Sequence, residues 1–423
     1  MIKELHIPLF NIIMCFSEAM DMINSSLVDH HKQVAYISFS IASEIGLSSE
    51  EQNNLILAGL LHDSGALYLE DRLSTLEFEL ENPQRHAETG YLLLKNFAPF
   101  SKLAPLVRYH HIPWECGKGI RRRDEEINIG CHILHLADRI SVLIQKQKNI
   151  LTMTKEIYDK IKVNSGEIFM PELVLALKDL TKKEFFWLDA ASSSIGSILA
   201  SRSNLPDVEL NMKELISLAK FFCQIIDFRS HFTATHTSGV AATAEALAGL
   251  ANFSDRECQI MKVAGYLHDL GKLAVPTEIL EKPGSLSYED FSIVRSHTYY
   301  TYRTLENIAE FDIINNWASF HHERMDGRGY PFHLKKQDLS LGSRIMALAD
   351  VFTALSEDRP YRKGMSPDRA MKIIEEMANN SSLDKNILSL LRDHFDEINT
   401  CRTYAQEAAR KEYKDFEEII LNL

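Results

Sequence analysis

The chain has 423 residues, enough for two domains, and its 45% hydrophobic and 25% charged residues are an ordinary globular composition. A formal net charge of -13 argues against a nucleic acid polymer held on a general basic surface, yet leaves room for a small phosphorylated ligand in a local basic pocket. Six scattered cysteines (Cys15, Cys116, Cys131, Cys223, Cys258 and Cys401) contain no CxxC pair and suit free thiols in a reducing cytoplasm.

Helix-period runs follow one another along the chain and almost nothing reads as a strand, so the expected fold class is all-α. The first apolar run, Ile7 to Phe16, is too short to span a bilayer and lacks a basic leader, so no membrane or export segment is predicted. From Ser48 the pattern sharpens. Ser48 and Glu51 have capping-box spacing, Leu57, Ala58 and Leu61 share one helix face, and His62-Asp63 closes the run. His86 and the pair His110-His111 follow. The basic run Arg121-Arg122-Arg123 is answered by Asp124, Glu125 and Glu126 and reads as a solvated loop, with an interdomain contact as the alternative. Asp138 then ends an apolar helical run.

Periodicity breaks between residues 201 and 210, at Ser201-Arg202-Ser203-Asn204-Leu205-Pro206-Asp207, and the boundary is placed there, giving domains 1–203 and 204–423. Beyond it the same series returns. Ser254 and Glu257 repeat the cap, Ile260, Val263, Ala264 and Leu267 repeat the apolar face, and His268-Asp269 repeats the His-Asp pair. His30 precedes His62 by 32 residues and His236 precedes His268 by 32. His86 precedes His110 by 24 and His297 precedes His321 by 24. Asp138 follows His111 by 27, and Asp350 follows His322 by 28. Such recurrence marks an internal duplication.

A single histidine on an apolar helix is more often a core residue than a ligand. A carboxylate amid apolar helix neighbours is odder, because an unpaired buried charge costs several kcal/mol. The set carries the argument. His236, His268, Asp269, His297, His321, His322 and Asp350 offer five imidazoles and two carboxylates, which suits two divalent cations bridged by Asp269. His30, His62, Asp63, His86, His110, His111 and Asp138 form a second candidate metal site in the first half. Turn chemistry accounts for Asp326-Gly327 and Gly329 without any function, but the glycines also allow backbone to approach a ligand. Basic residues after Asp350, in Asp358-Arg359-Pro360-Tyr361-Arg362-Lys363, lie where they could clamp phosphate.

With His268-Asp269-Leu270-Gly271-Lys272, Lys282-Pro283-Gly284, His321-His322-Glu323, Gly329-Tyr330-Pro331 and Asp358-Arg359-Pro360-Tyr361-Arg362, the second half resembles the HD-GYP subgroup of the HD superfamily of metal-dependent phosphohydrolases over nearly its full length. The resemblance implies two tandem all-helical HD-type domains. It also implies hydrolysis of a cyclic dinucleotide, chiefly cyclic di-GMP, with iron or manganese. Lys272 would contact the scissile phosphate, Asp269 would bridge the cations, and Tyr330, Arg359 and Arg362 would line the substrate pocket. Phe232 stands where some members carry a glutamate for a third metal, so two cations are expected. The first half keeps the ligand pattern but has Ala66 in place of Lys272, Ile120-Arg121 near the place of Tyr330-Pro331, and Gln147 in place of Arg359. It therefore resembles a degenerate HD domain, regulatory or structural, fused to an intact one.

The expected function is metal-dependent hydrolysis of a cyclic dinucleotide, with cyclic di-GMP the leading substrate. The alternatives are mixed cyclic GMP-AMP as substrate, or a sensor that binds a cyclic dinucleotide without cleaving it. A cytoplasmic protein is expected, with a homodimer or a signalling partner left open and no membrane or nucleic acid polymer as partner.

Overall fold

The computed structural model of the chain describes residues 8–22, 28–66, 78, 84–95, 97–122, 125–203, 210–227, 235–282, 284–358 and 363–421. These are overwhelmingly helical, as expected. The strands among them form one ribbon, Arg121–Arg122 antiparallel to Glu125–Glu126. Arg121 stands opposite Glu126 and Arg122 opposite Glu125, all four exposed, so opposite charges face each other across a short ribbon in what reads as a loop. Arg123 and Asp124 lie outside the described residues.

The chain divides into two compact units, Ile12–Val208 and Glu209–Leu423, the latter taking in Met1–Asn11. The first is built around the helix His30–Glu44, buried along most of its length, which packs against Ser49–Leu61 and Ile129–Leu143. Val34, Ile37 and Ile41 meet a core that includes Leu60, Ile133, Leu136 and Ile140, all fully buried. Each such side chain contributes roughly 1.5–3 kcal/mol by leaving water.

The second unit repeats this plan around His236–Leu250, which packs against Asp255–Leu267, Leu341–Ser356 and the long helix Phe395–Leu421. Its alanine-rich sequence lets neighbours come close, with Val240, Ala244 and Leu247 fully buried beside Val263, Ala264, Leu348 and Phe352. Both capping boxes form. The side chain of Ser48 accepts the Glu51 N–H and that of Ser254 accepts the Glu257 N–H, while each glutamate returns to the backbone N–H of its serine. They fix the starts of two helices whose ends carry the His-Asp pairs. Among the described residues no helix is long and apolar enough to cross a membrane.

Candidate metal centres and active site

In each unit the same helix ends converge. His236 begins the helix His236–Leu250, His268 caps the C-terminus of Asp255–Leu267, His297 begins His297–Glu306, and His321 and His322 follow Asp312–Ser319. Asp350 projects from the middle of Leu341–Ser356. The His-Asp pair thus sits at a helix terminus, not within the helix. The turn there sends Asp269 away from the helical path and toward both sets of histidines.

Asp269 presents Oδ2 to His268 Nε2 at 3.1 Å and Oδ1 to His297 Nε2 at 3.4 Å. On the first side, His236 Nε2 lies 3.1 Å from Asp350 Oδ1, and His236, His268 and Asp350 could share one ion. On the other, His297 Nε2 and His321 Nε2 are 3.3 Å apart, and with His322 they form a second group able to hold an ion. A carboxylate with one oxygen toward each group has the placement of a bridge. Sequence spacing therefore brings all seven predicted ligands of this half together.

Ring orientation is set from behind. His268, His297 and His321 each donate Nδ1–H to a backbone carbonyl three residues earlier: Gly265 at 2.8 Å, Val294 at 2.6 Å and Ala318 at 2.6 Å. That fixes the tautomer and aims Nε2 inward. Burial pushes the His297 ring down to about 3 and the His321 ring well below its ordinary value, so both are neutral imidazoles, the ligand form. Burial alone would lower His236 too, but Glu357, 3.0 Å from its Nδ1, and Asp350 lift it to about 10. Burial opposes ionisation of Asp269 and Asp350, but the surrounding rings, and Lys272 beside Asp269, hold both carboxyls well below the usual range. His268 Nε2 is buried without a hydrogen bond. The neutral His297 and His321 rings and the two charged carboxylates fit a divalent cation, and His236 would give up its proton to join them.

Gly271 makes the approach possible. A Cβ on it would stand 1.9 Å from the His297 carbonyl oxygen, and one on Gly65 would stand 2.1 Å from that of His86. The two helices that bring His268 and His297 together, and those that bring His62 and His86 together, touch at these glycines.

Lys272 lies against its own helix-end aspartate. Its ammonium is 2.6 Å from Asp269 Oδ2, on a ligand carboxylate, and its side chain is 18% exposed. Tyr330 does stand over the cluster, its ring centroid 4.9 Å from that of His322. The loop that carries it hangs on Glu323, which sequence reasoning passed over. Glu323 is buried, and its two carboxylate oxygens accept the backbone N–H groups of Phe332 at 2.6 Å and Leu334 at 3.0 Å. Its position directly after His321-His322 was the available signal. Gly329 serves this loop and not an approaching ligand, because a Cβ there would lie 2.4 Å from the backbone N of Arg324. Arg359 and Arg362, the predicted phosphate holders, and Phe232 lie outside the described residues.

In the first unit His30, His62, Asp63, His86, His110, His111 and Asp138 also come together. His62 Nε2 lies 3.3 Å from Asp63 Oδ2, His86 Nε2 3.5 Å from Asp63 Oδ1, and His30 Nε2 3.4 Å from Asp138 Oδ1. Asp63, His86, His110 and His111 form one group that could hold an ion, and His30, His62 and Asp63 another. The inward atoms His30 Nε2, His62 Nε2, Asp63 Oδ1, His110 Nε2 and Asp138 Oδ1 are buried without hydrogen-bond partners, so this set fits a cation as well.

Two features separate the units. Arg139, 1% exposed, donates from Nη2 to Asp138 Oδ2 at 2.6 Å, whereas Val351 follows Asp350. The adjacent Asp138-Arg139 dipeptide was the available clue, though a sequence does not show that an arginine points inward. The His111 side chain is 3% exposed and that of His322 is 32% exposed. The second cluster opens to solvent at His322, and the first is covered at the matching place.

Comparison with known proteins agrees with the duplication. The HD domain family matches residues 27–143 and again residues 220–387. The chain is similar to the 3′3′-cGAMP-specific phosphodiesterase 1 of Vibrio cholerae, 30% identical over 397 residues that cover 92% of each. It is also similar to a cyclic di-GMP phosphodiesterase of Pseudomonas aeruginosa, 38% identical over 146 residues, covering 34% of this chain and 35% of that one. In fold it resembles a solved cyclic GMP-AMP specific phosphodiesterase of Vibrio cholerae, with a TM-score of 0.65 and 24% identity over 92% of this chain and 98% of that one.

Proposed function

The chain belongs to the HD-GYP-type cyclic dinucleotide phosphodiesterases of the HD superfamily, and we propose that its second half hydrolyses 3′3′-cyclic GMP-AMP. The observation that carries the substrate is coverage. Two relatives that match 92% of the chain are named for cyclic GMP-AMP, whereas relatives named for cyclic di-GMP match between 26% and 49% of it. The favoured substrate thus moves from cyclic di-GMP to the mixed nucleotide.

Residues 204–423 form the hydrolytic domain. Two divalent cations, iron or manganese by family resemblance, would be held by His236, His268, Asp269 and Asp350 on one side and by Asp269, His297, His321 and His322 on the other. Bound there, such ions supply a water of lowered pKa and neutralise phosphate charge. The protein's own residues do the rest. Asp269 holds the two ligand groups in register. Lys272, whose ammonium lies on Asp269 Oδ2, would turn to the non-bridging oxygens of the scissile phosphate, where charge grows as the leaving 3′-oxygen departs. Tyr330, fixed by Glu323, walls the open side at His322. Arg359 and Arg362 take the second phosphate.

Residues 1–203 form a domain that holds metal without hydrolysing a cyclic dinucleotide. Its cluster is covered, Ala66 cannot supply an ammonium, and Arg139 already occupies one oxygen of Asp138. The function is tested by turnover of the purified, metal-replete chain on a panel of cyclic GMP-AMP, cyclic di-GMP and cyclic di-AMP. Preferred cleavage of the mixed nucleotide is expected. Preference for cyclic di-GMP would restore the sequence-based expectation, and tight binding without cleavage would favour a sensor.

A further inference from the structure

At the open side of the second cluster stands an arginine that no motif flagged. The helix Tyr288–Arg295, capped by Ser287, buries none of its residues and ends two positions before His297. From its last turn the Arg295 guanidinium carbon reaches to 4.8 Å from the Tyr330 ring centroid and 5.9 Å from that of Phe291. Phe291 meets Tyr330 edge to face at 6.4 Å, and Tyr330 in turn lies 4.9 Å from His322. These contacts make a continuous path from Phe291 to the cluster.

Two properties of this group lack a structural purpose. Phe291 is 45% exposed, although an aromatic ring gains most by leaving water. Arg295 is half-buried and has no carboxylate partner among the described residues, whereas Arg303 pairs with Glu306 and Arg324 with Asp326. A guanidinium laid against aromatic rings is held in place while its N–H edge stays free. An unpaired donor fork next to an exposed ring matches a purine base, which offers a face to stack and an edge to read. Guanine presents two acceptors, O6 and N7, at the spacing of that fork, and adenine presents one acceptor and one donor.

Resting on the cyclic dinucleotide reading above, we propose that Phe291 and Arg295 form a guanine subsite, with Phe291 stacking on the base and Arg295 donating to its O6 and N7. Two ring contacts separate Arg295 from His322, so the base would be read while its nucleotide's phosphate lies at the cluster. The subsite sets specificity. It accepts either guanine-containing cyclic dinucleotide and disfavours cyclic di-AMP.

The test uses the metal-replete full chain, with kcat/KM for cyclic GMP-AMP, cyclic di-GMP and cyclic di-AMP, and competitive inhibition constants for whichever is cleaved poorly. Arg295→Ala should lower kcat/KM for the two guanine-containing nucleotides about tenfold or more, chiefly through KM, and leave cyclic di-AMP unchanged. Arg295→Lys keeps the charge but not the fork, so it should not restore the preference. Metal content should match the parent in both variants. An equal loss on all three nucleotides would overturn the proposal in favour of a phosphate contact or a structural role, and unchanged selectivity would overturn it outright. A parent protein inactive on all three would sink the functional reading itself, and the subsite with it.

Discussion

Asp269 has one oxygen toward His268 and the other toward His297, and Asp350 likewise faces His236 and His322, so removing Asp269 takes away one of the two carboxylates that lie between the groups. Asp269→Ala should lose metal and lower turnover at least about 100-fold, as followed by metal analysis beside initial rates. Lys272→Ala behaves differently. It frees the carboxylate with which Lys272 pairs, so metal content should hold while kcat falls roughly 100-fold for want of a donor to the phosphate. Parental turnover would remove Lys272 from the reaction. In the first unit, Arg139→Leu leaves Asp138 buried among rings without its guanidinium, and the metal-free protein should lose about 3 kcal/mol in denaturant unfolding. Added metal should recover part of that loss, and an unchanged midpoint in metal-free protein would show that Arg139 is not what balances Asp138. The ligands themselves were legible in the sequence because rare residue types recur at matched spacing. Arg139, Glu323 and Arg295 were not, since arginine and glutamate are common surface residues and only the fold tells which point inward.

Helix starts were equally legible. The cap pairs Ser48 with Glu51 and Ser254 with Glu257 were readable because a capping box is local chemistry. The ribbon at Arg121–Arg122 was missed because two-residue strands carry no periodicity, and cross-strand pairing becomes visible only once the chain turns. Helix-to-helix contact was hidden as well. Gly271 stands out in the sequence only as part of the His268-to-Lys272 motif, yet its lack of a side chain is what admits His297. Gly271→Ala should push the helix His297–Glu306 away from the His268 turn, lowering both thermal stability and metal content. Gly65→Ala should do the same to the first cluster and spare hydrolysis. If Gly271→Ala kept full metal and stability, close helix contact would not be what assembles the cluster.

At the scale of the molecule, one plan is built twice with two different surroundings. Each unit gathers histidines from helix ends around an aspartate and fixes the rings through backbone carbonyls, as with His62 on Gly59 and His268 on Gly265. They part at the mouth, where the second unit has Tyr330 on a loop held by Glu323 and the first has Arg139 and Ala66. The duplication was plain in the sequence because spacings survive divergence. The difference in access was not, because burial of His111 against exposure of His322 depends on residues far apart in the chain. The most direct test compares Asp63→Ala with Asp269→Ala in the full chain, with the rate of cyclic GMP-AMP hydrolysis as the readout. Asp269→Ala should abolish hydrolysis while Asp63→Ala retains most of it. Loss of hydrolysis in Asp63→Ala with survival in Asp269→Ala would place the chemistry in the first unit and contradict the assignment.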